Sequence, residues 1–236
     1  EQSSFTATNI YTSSNVIFAD TACICGDNVF FLASDGLYGF DGAGVKKLNL
    51  PFEGIFEGVE NSKAVSEFHK NCYYLLCNTK FSSGEDYLGT MLELNVETGA
   101  ISLLVGYNFV SLTAVRNDFV EKLIVIINKG EHNVLTELTH DGLVLGEPTK
   151  KTWSSAYTDL GEPSKIKTIK SISLISINDC SVKLQTENTT TILKIKGSNL
   201  PQRKAVNITG RLVKVSFEAV NGEAKISHPE LEICYK

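Results

Sequence analysis

A unit with a period of roughly 45 residues recurs three times in the first two thirds of the chain, and it restricts the possible folds more than any other feature. Each copy contains an apolar run, a turn and a second apolar or alternating run. The apolar runs begin at Val29, Cys72 and Leu123, and each copy also contains a turn pair of the Asp-Gly or Thr-Gly type. This period is typical of the four-stranded blades of a β-propeller. The repeat therefore predicts an all-β domain of propeller-like blades over residues 1–149.

The number of copies predicts that this propeller is incomplete. Closed propellers have about four to eight blades, whereas three copies are visible here. We therefore expect either missing blades or sheet edges that another chain covers. The chain opens without Met and without a basic and apolar leader, so we expect a processed chain or a piece of a longer protein.

A change in charge predicts a second domain after residue 149. Residues 1–149 contain 8 Lys and Arg against 19 Asp and Glu, while residues 150–236 contain 14 against 8. In the second part Val213, Val215 and Phe217 alternate with polar residues, as in a sheet with one face in water. The strand expected at 166–177 has apolar residues on both faces, which indicates burial on both sides. These patterns predict a compact β-sandwich over residues 150–236.

Composition and charge narrow the classes of function. Hydrophobic residues make up 42% of the chain and charged residues 21%, and no apolar run reaches the roughly 18 residues of a membrane span. We therefore expect no membrane span. The basic second part has no aromatic-interleaved stripe, so nucleic-acid contact is not expected. Its charge is explained either by a solvated surface that attracts the acidic part or by contact with an acidic partner.

No pattern for catalysis, metal or cofactor binding stands out. The four histidines lack a ligand spacing, and neither a Gly-x-Ser-x-Gly elbow nor a phosphate-binding Gly-rich loop is present. The six cysteines have the spacing of neither a metal site nor a small disulfide scaffold, which favours buried free thiols. We therefore predict a protein that is not an enzyme and that has no cofactor. A propeller glycosidase with two facing carboxylates remains an alternative.

Two segments are candidates for contact with a partner. Trp153, the single tryptophan, and Tyr157 lie in the segment that joins the two predicted domains. Such aromatic residues either staple the domains together or anchor a partner subunit. Glu85 and Asp86 end a polar loop within the second repeat, which is either a binding loop or a tolerated surface insertion. The predicted interface residues are therefore Trp153, Tyr157, Glu85 and Asp86.

The order of these motifs resembles structural proteins of tailed-bacteriophage virions. The resemblance rests on Leu-Ala-Ser-Asp-Gly-Leu-Tyr-Gly-Phe-Asp-Gly at 32–42, on Tyr-Thr-Asp-Leu-Gly at 157–161 after Trp153, and on Gly-Arg-Leu-Val-Lys-Val-Ser-Phe at 210–217. It implies a non-enzymatic subunit of the head-to-tail connector, tail hub or tail tip. Such a subunit assembles with copies of itself and with neighbouring virion proteins, in a particle built in the bacterial cytoplasm. A module that binds a glycan or protein of the host surface is the alternative.

Overall fold

The computed structural model describes residues 9, 11–50, 54–81, 86–117, 120–139, 143–149, 151–219 and 224–236. Within these residues the regular structure is β-strand, and every strand pair is antiparallel. The chain forms two compact units, Glu1–Leu138 and Thr139–Lys236. The predicted all-β class is confirmed.

The first unit contains eleven strands among the described residues. They are β1 (Ile17–Cys25), β2 (Asn28–Ala33), β3 (Gly36–Phe40), β4 (Val45–Lys47), β5 (Val65–His69), β6 (Cys72–Lys80), β7 (Asp86–Asn95), β8 (Ile101–Leu104), β9 (Phe109–Arg116), β10 (Glu121–Asn128) and β11 (Asn133–Glu137). They form three meander sheets in the orders β1-β2-β3-β4, β5-β6-β7-β8 and β11-β10-β9. The three repeats therefore correspond to three blade-like sheets, each of which begins one strand before the run that marks it in the sequence.

Turn chemistry explains why these short strands pair with their neighbours in sequence. The Asp41 carboxylate accepts hydrogen bonds from the backbone of Ala43 and Gly44, each at 3.0 Å, and Gly42 has a φ of +83°. The Gly44 amide contributes most to lowering the pKa of Asp41, to about 2. Asn95 closes the corresponding turn of the second sheet through the amides of residues 97 and 98. The polar turn residues read in the sequence therefore connect the strands that the repeat predicts.

Apolar side chains hold neighbouring sheets of the first unit face to face. The first and second sheets share one core, built from Phe30, Leu32 and Leu37 on one side and Tyr73 and Leu75 on the other. Strand β5 lies beside both β1 and β9, so the second sheet lies between the first and the third. In the third sheet Leu123, Val125 and Ile127 alternate along β10 and are buried. Face-to-face packing of successive meanders is the arrangement of propeller blades.

The third repeat departs from the prediction at its last strand. The run at 143–145 was expected to extend the third sheet. Instead β12 (Leu143–Val144) pairs with β13 (Glu147–Pro148) in a hairpin of the second unit, around a turn at Leu145 and Gly146 with positive φ at both residues. Because the turn contains only two residues, β13 lies directly beside β12 in the chain and pairs with it in place of the third sheet. The third sheet accordingly has three strands among the described residues.

The second unit is a two-sheet sandwich. Its remaining strands are β14 (Lys151–Ser154), β15 (Lys167–Ser176), β16 (Cys180–Thr186), β17 (Thr190–Ile195), β18 (Ser198–Gly210), β19 (Val213–Ala219) and β20 (Ile226–Tyr235). The sheets have the orders β14-β19-β16-β17 and β18-β15-β20. Ile172 and Ile208 from one sheet and Val182, Leu184 and Val213 from the other belong to one buried cluster. The predicted sandwich is therefore present, with the strand that ends at Ser176 at the centre of one sheet.

A bulge changes which residues of β15 share a face. Simple alternation places Ile169 with Ser171 and opposite Ile172, and this expectation is wrong. The register shifts between Ile169 and Ser171 against both neighbouring strands, at exposed Lys170. Because the bulge inserts one residue, Ile169 and Ile172 both enter the core cluster.

Candidate interaction surfaces

Trp153 lies on an edge strand and is 58% exposed. Strand β14 is the end strand of its sheet, and all four of its residues are exposed. Trp153 pairs with Phe217, and the two rings lie 5.6 Å apart. Since Phe217 belongs to the sandwich core, Trp153 points to the core side of the sheet but extends beyond the core. Among the described residues, the result is an exposed aromatic ring beside the end strand of a sheet.

Tyr157 lies on the other face of the same sheet edge. Its ring is 5.8 Å from Nζ of Lys214, a cation–π contact. Lys214 alternates with Val213, which is in the core, so Lys214 and Tyr157 lie on the outer face. The structure therefore does not bring Trp153 and Tyr157 onto one surface.

The other two predicted interface residues belong to the polar loop of the second repeat. Asp86 begins β7, where its backbone pairs with Lys80. Glu85 lies outside the described residues.

The third sheet exposes apolar side chains on the face that points away from its core. Its outer face carries Val115, Ile124, Ile126 and Leu135. Leu135 lies directly opposite Ile126, and Ile124 follows Ile126 on the same face of β10. Val115 lies opposite Lys122, so polar side chains share this face. Leu135 is 69% exposed. Sequence reasoning did not identify this face, although the unbroken run at 123–127 signals a strand with apolar residues on both sides.

A charged cluster links the second and third sheets. Arg116 on β9 donates from Nε to the Glu121 carboxylate at 3.0 Å, lies 3.6 Å from the Glu67 carboxylate, and hydrogen-bonds the carbonyl oxygen of Phe68. Nδ1 of buried His69 is 3.3 Å from the same Glu121 oxygen. The hydrogen bond from Arg116 lowers the pKa of Glu121. These residues tie β5 to β9 and β10, and the arrangement is that of a structural ion-pair network.

A second charged cluster crosses the three-stranded sheet of the sandwich. Ser171 donates to the Glu232 carboxylate at 2.7 Å, and Arg203 donates to the Ser171 hydroxyl at 3.0 Å and also pairs with Glu232. The Ser171 hydrogen bond and then Arg203 lower the pKa of Glu232. Each of these polar groups has a partner, so the cluster connects β15, β18 and β20.

The cysteines are unbridged, and two of them interact. Cys25, Cys72, Cys77 and Cys180 are buried, Cys23 is half-buried and Cys234 is exposed. Cys23 and Cys25 lie on β1, and a hydrogen bond from the Cys25 side chain lowers the pKa of Cys23 to about 7. Cys23 therefore has a lower pKa than an ordinary thiol, which favours its reactive thiolate form.

The described residues contain neither a metal-ligand cluster nor a helix that could span a membrane. Within the described ranges, no three His, Cys, Asp or Glu side chains are grouped as they would be around a metal ion. No helix in the part of the chain that the structure describes is long and apolar enough to cross a bilayer.

Comparisons with known proteins assign no family to the chain. No protein-family model matches it, and no curated protein matches it. Among solved structures, it is similar to an exo-beta-1,3-galactanase of Phanerochaete chrysosporium with beta-1,3-galactotriose, at 8% identity and a TM-score of 0.28 over 98% of this chain and 84% of that one. The same enzyme with galactose gives 10% identity and a TM-score of 0.22 over 93% and 56%. Likeness at these TM-scores carries neither fold nor activity over to this chain.

Proposed function

We propose that the chain is a non-enzymatic assembly subunit that works through protein–protein interfaces, and that its setting is the virion of a tailed bacteriophage. The observation that carries the role is the position of β14 at the end of its sheet, as the described residues form it, with exposed Trp153 on that strand. An edge strand offers unpaired backbone groups to a strand of another protein. A half-exposed tryptophan that stacks on Phe217 offers the rigid aromatic anchor that dominates many interfaces.

Two further features support an interface protein. The exposed apolar face of the third sheet adds a second surface of the kind that marks contact with other proteins. The charge difference between the two parts of the chain gives each part a preferred kind of neighbour and helps to orient the subunit. The virion setting comes from the resemblance of the sequence motifs.

Particle assembly tests the proposal directly. In a phage that encodes this chain, Trp153→Ser should reduce the yield of complete tailed particles at least tenfold, because it removes the anchor and leaves β14 in place. The matched control is Ile192→Ser, which changes a 62% exposed residue on β17, the opposite edge strand of the same sheet. Immunogold labelling should place the wild-type protein at the connector or tail of purified particles.

Two results would contradict the proposal. The first is the absence of the protein from purified particles, and the second is an equal yield of complete particles from the two variants. Saturable binding of the purified chain to host-surface polysaccharide, together with normal particle yield for Trp153→Ser, would instead identify a receptor-binding module.

A further inference from the structure

The three sheets of the first unit pack one after another in a row, and this row has two end faces. The second sheet packs against the first and contacts the third. The third sheet's outer face, defined above by Val115, Ile124, Ile126 and Leu135, is one end of this row. The other end is the face of the first sheet that points away from the second.

This first-sheet outer face is aromatic. Phe31 and Tyr38 alternate with the core residues of β2 and β3, and their rings are stacked at 5.6 Å. Tyr11 lies over both, 6.5 Å from Phe31 and 6.0 Å from Tyr38. Tyr38 is buried, so Tyr11 and Phe31 are the rings that a partner would meet. One end of the row is therefore built from rings and the other from aliphatic side chains, and contact between them removes apolar area from water.

Each end face also carries a lysine that forms an ion pair with a carboxylate of the same sheet. On the first sheet Lys47 lies 3.0 Å from Asp35, and on the third sheet Lys122 lies 2.7 Å from Glu137. Among the residues that the structure describes on these faces, Lys47 and Lys122 each have a carboxylate partner, so contact would not bury either charge unpaired. An unpaired buried charge would cost far more than the apolar contact contributes.

We propose that two copies of this chain close a ring in which the first-sheet outer face of each copy covers the third-sheet outer face of the other. The chain already shows this mode of packing twice, between its own successive sheets. Two copies supply six blade-like sheets, within the range of about four to eight in propellers, whereas three copies would supply nine. A twofold axis makes the two junctions identical, as closed dimers require. The inference deepens the proposed function, on which its biological setting rests, by naming the partner.

Light scattering during size-exclusion chromatography tests the ring on the full chain. Wild type should have twice the 25.8 kDa mass of one chain. Leu135→Asp should weaken dimerisation at least tenfold, because it places a charge on the third-sheet outer face. Leu200→Asp is the matched control, since Leu200 is 72% exposed and lies on β18 in the other unit. Both substitutions change highly exposed side chains, and circular dichroism should show unchanged folding.

A mixing experiment identifies which faces meet. Tyr11→Asp should likewise weaken dimerisation at least tenfold, because it damages the first-sheet outer face. An equimolar mixture of Tyr11→Asp and Leu135→Asp should regain dimers, because one of the two junctions then contains two wild-type faces. A wild type that stays monomeric overturns the proposal. Loss of dimers in Leu135→Asp alone, without an effect of Tyr11→Asp or rescue on mixing, also overturns it, since that result requires two third sheets to pair. Because these measurements use purified protein, they are independent of the particle assay.

Discussion

Replacing Lys167 with methionine should destabilise the second unit, because it removes the donor that binds three backbone carbonyls. Lys167 begins β15 and is 0% exposed. Its Nζ donates to the carbonyl oxygens of Glu162 at 2.6 Å, Lys165 at 3.0 Å and Arg211 at 2.9 Å. All three donors of the amine are thereby used, and they join the turn before β15 to the loop between β18 and β19.

The size of the loss follows from these three contacts. A buried polar group that loses its partner costs about 1–3 kcal/mol. Methionine keeps the length of the side chain, and removal of the amine also removes the cost of burying it. The Glu162 carbonyl keeps a hydrogen bond from the Lys165 amide at 3.3 Å, so two of the three carbonyls lose their partner. The lower figure for each of these two predicts a loss of about 2 kcal/mol in the free energy of unfolding. For a unit of this size, that loss lowers Tm by about 8–16 °C.

Trp153 provides the assay. It is the single tryptophan of the chain and lies on β14 in the same unit as Lys167, so its fluorescence reports the unfolding of that unit in urea. Lys170→Met is the control, since Lys170 is exposed on the same strand and should change stability by less than about 0.5 kcal/mol. A loss below about 1 kcal/mol for Lys167→Met, or an equal loss for the control, would refute the reasoning.

Two other predictions concern the first unit. The rate at which iodoacetamide alkylates Cys23 should rise with pH, with a midpoint near pH 7, because the hydrogen bond from Cys25 lowers the pKa of Cys23 to about 7. In Cys25→Val the midpoint should rise by at least about one pH unit. An unchanged midpoint would contradict this cause. Gly89→Ala should destabilise the unit far more than Gly106→Ala, because a Cβ at Gly89 would overlap the backbone of Phe109. At Gly106 the Cβ meets open space. Gly106→Ala should therefore cost only the strain of a positive φ, about 1–2 kcal/mol. Urea unfolding followed by far-UV circular dichroism measures the difference, and equal losses would show that the overlap is relieved.

The sequence predicts the first unit well because its strands pair with their neighbours in the chain. Apolar runs mark the strands and residues such as Asp41 and Asn95 mark the turns, so local signals contain most of the topology. The pairing of the run at 143–145 outside the third sheet was not predictable in this way. The run at 143–145 could form a strand either in the third sheet or in a hairpin with β13. Only the tight turn that follows the run decides between these two pairings.

The second unit shows where local reading ends. Strand β18 has 13 residues, most of them exposed, and contains Pro201, so its pattern carries little apolar alternation. It forms because β15 offers a long edge to pair with. The site residues show the same limit: Trp153 was found by its rarity, but its stacking on Phe217 depends on a strand distant in sequence. The burial of Lys167 depends on three carbonyls that only the folded chain brings together.

The pairing of β14 with β19 also fixes an order of events during folding. Meander sheets of the first unit close over short loops, so each can form soon after its strands are synthesised. Strand β14 has to wait for a partner 62 residues further along, as the Ser154–Ser216 contact shows. During that interval on the ribosome, β14 and its tryptophan have no sheet to join. Until β19 is synthesised, β14 can pair with a strand of another nascent chain, which is a route to misassembly. Pairing with β19 closes this route.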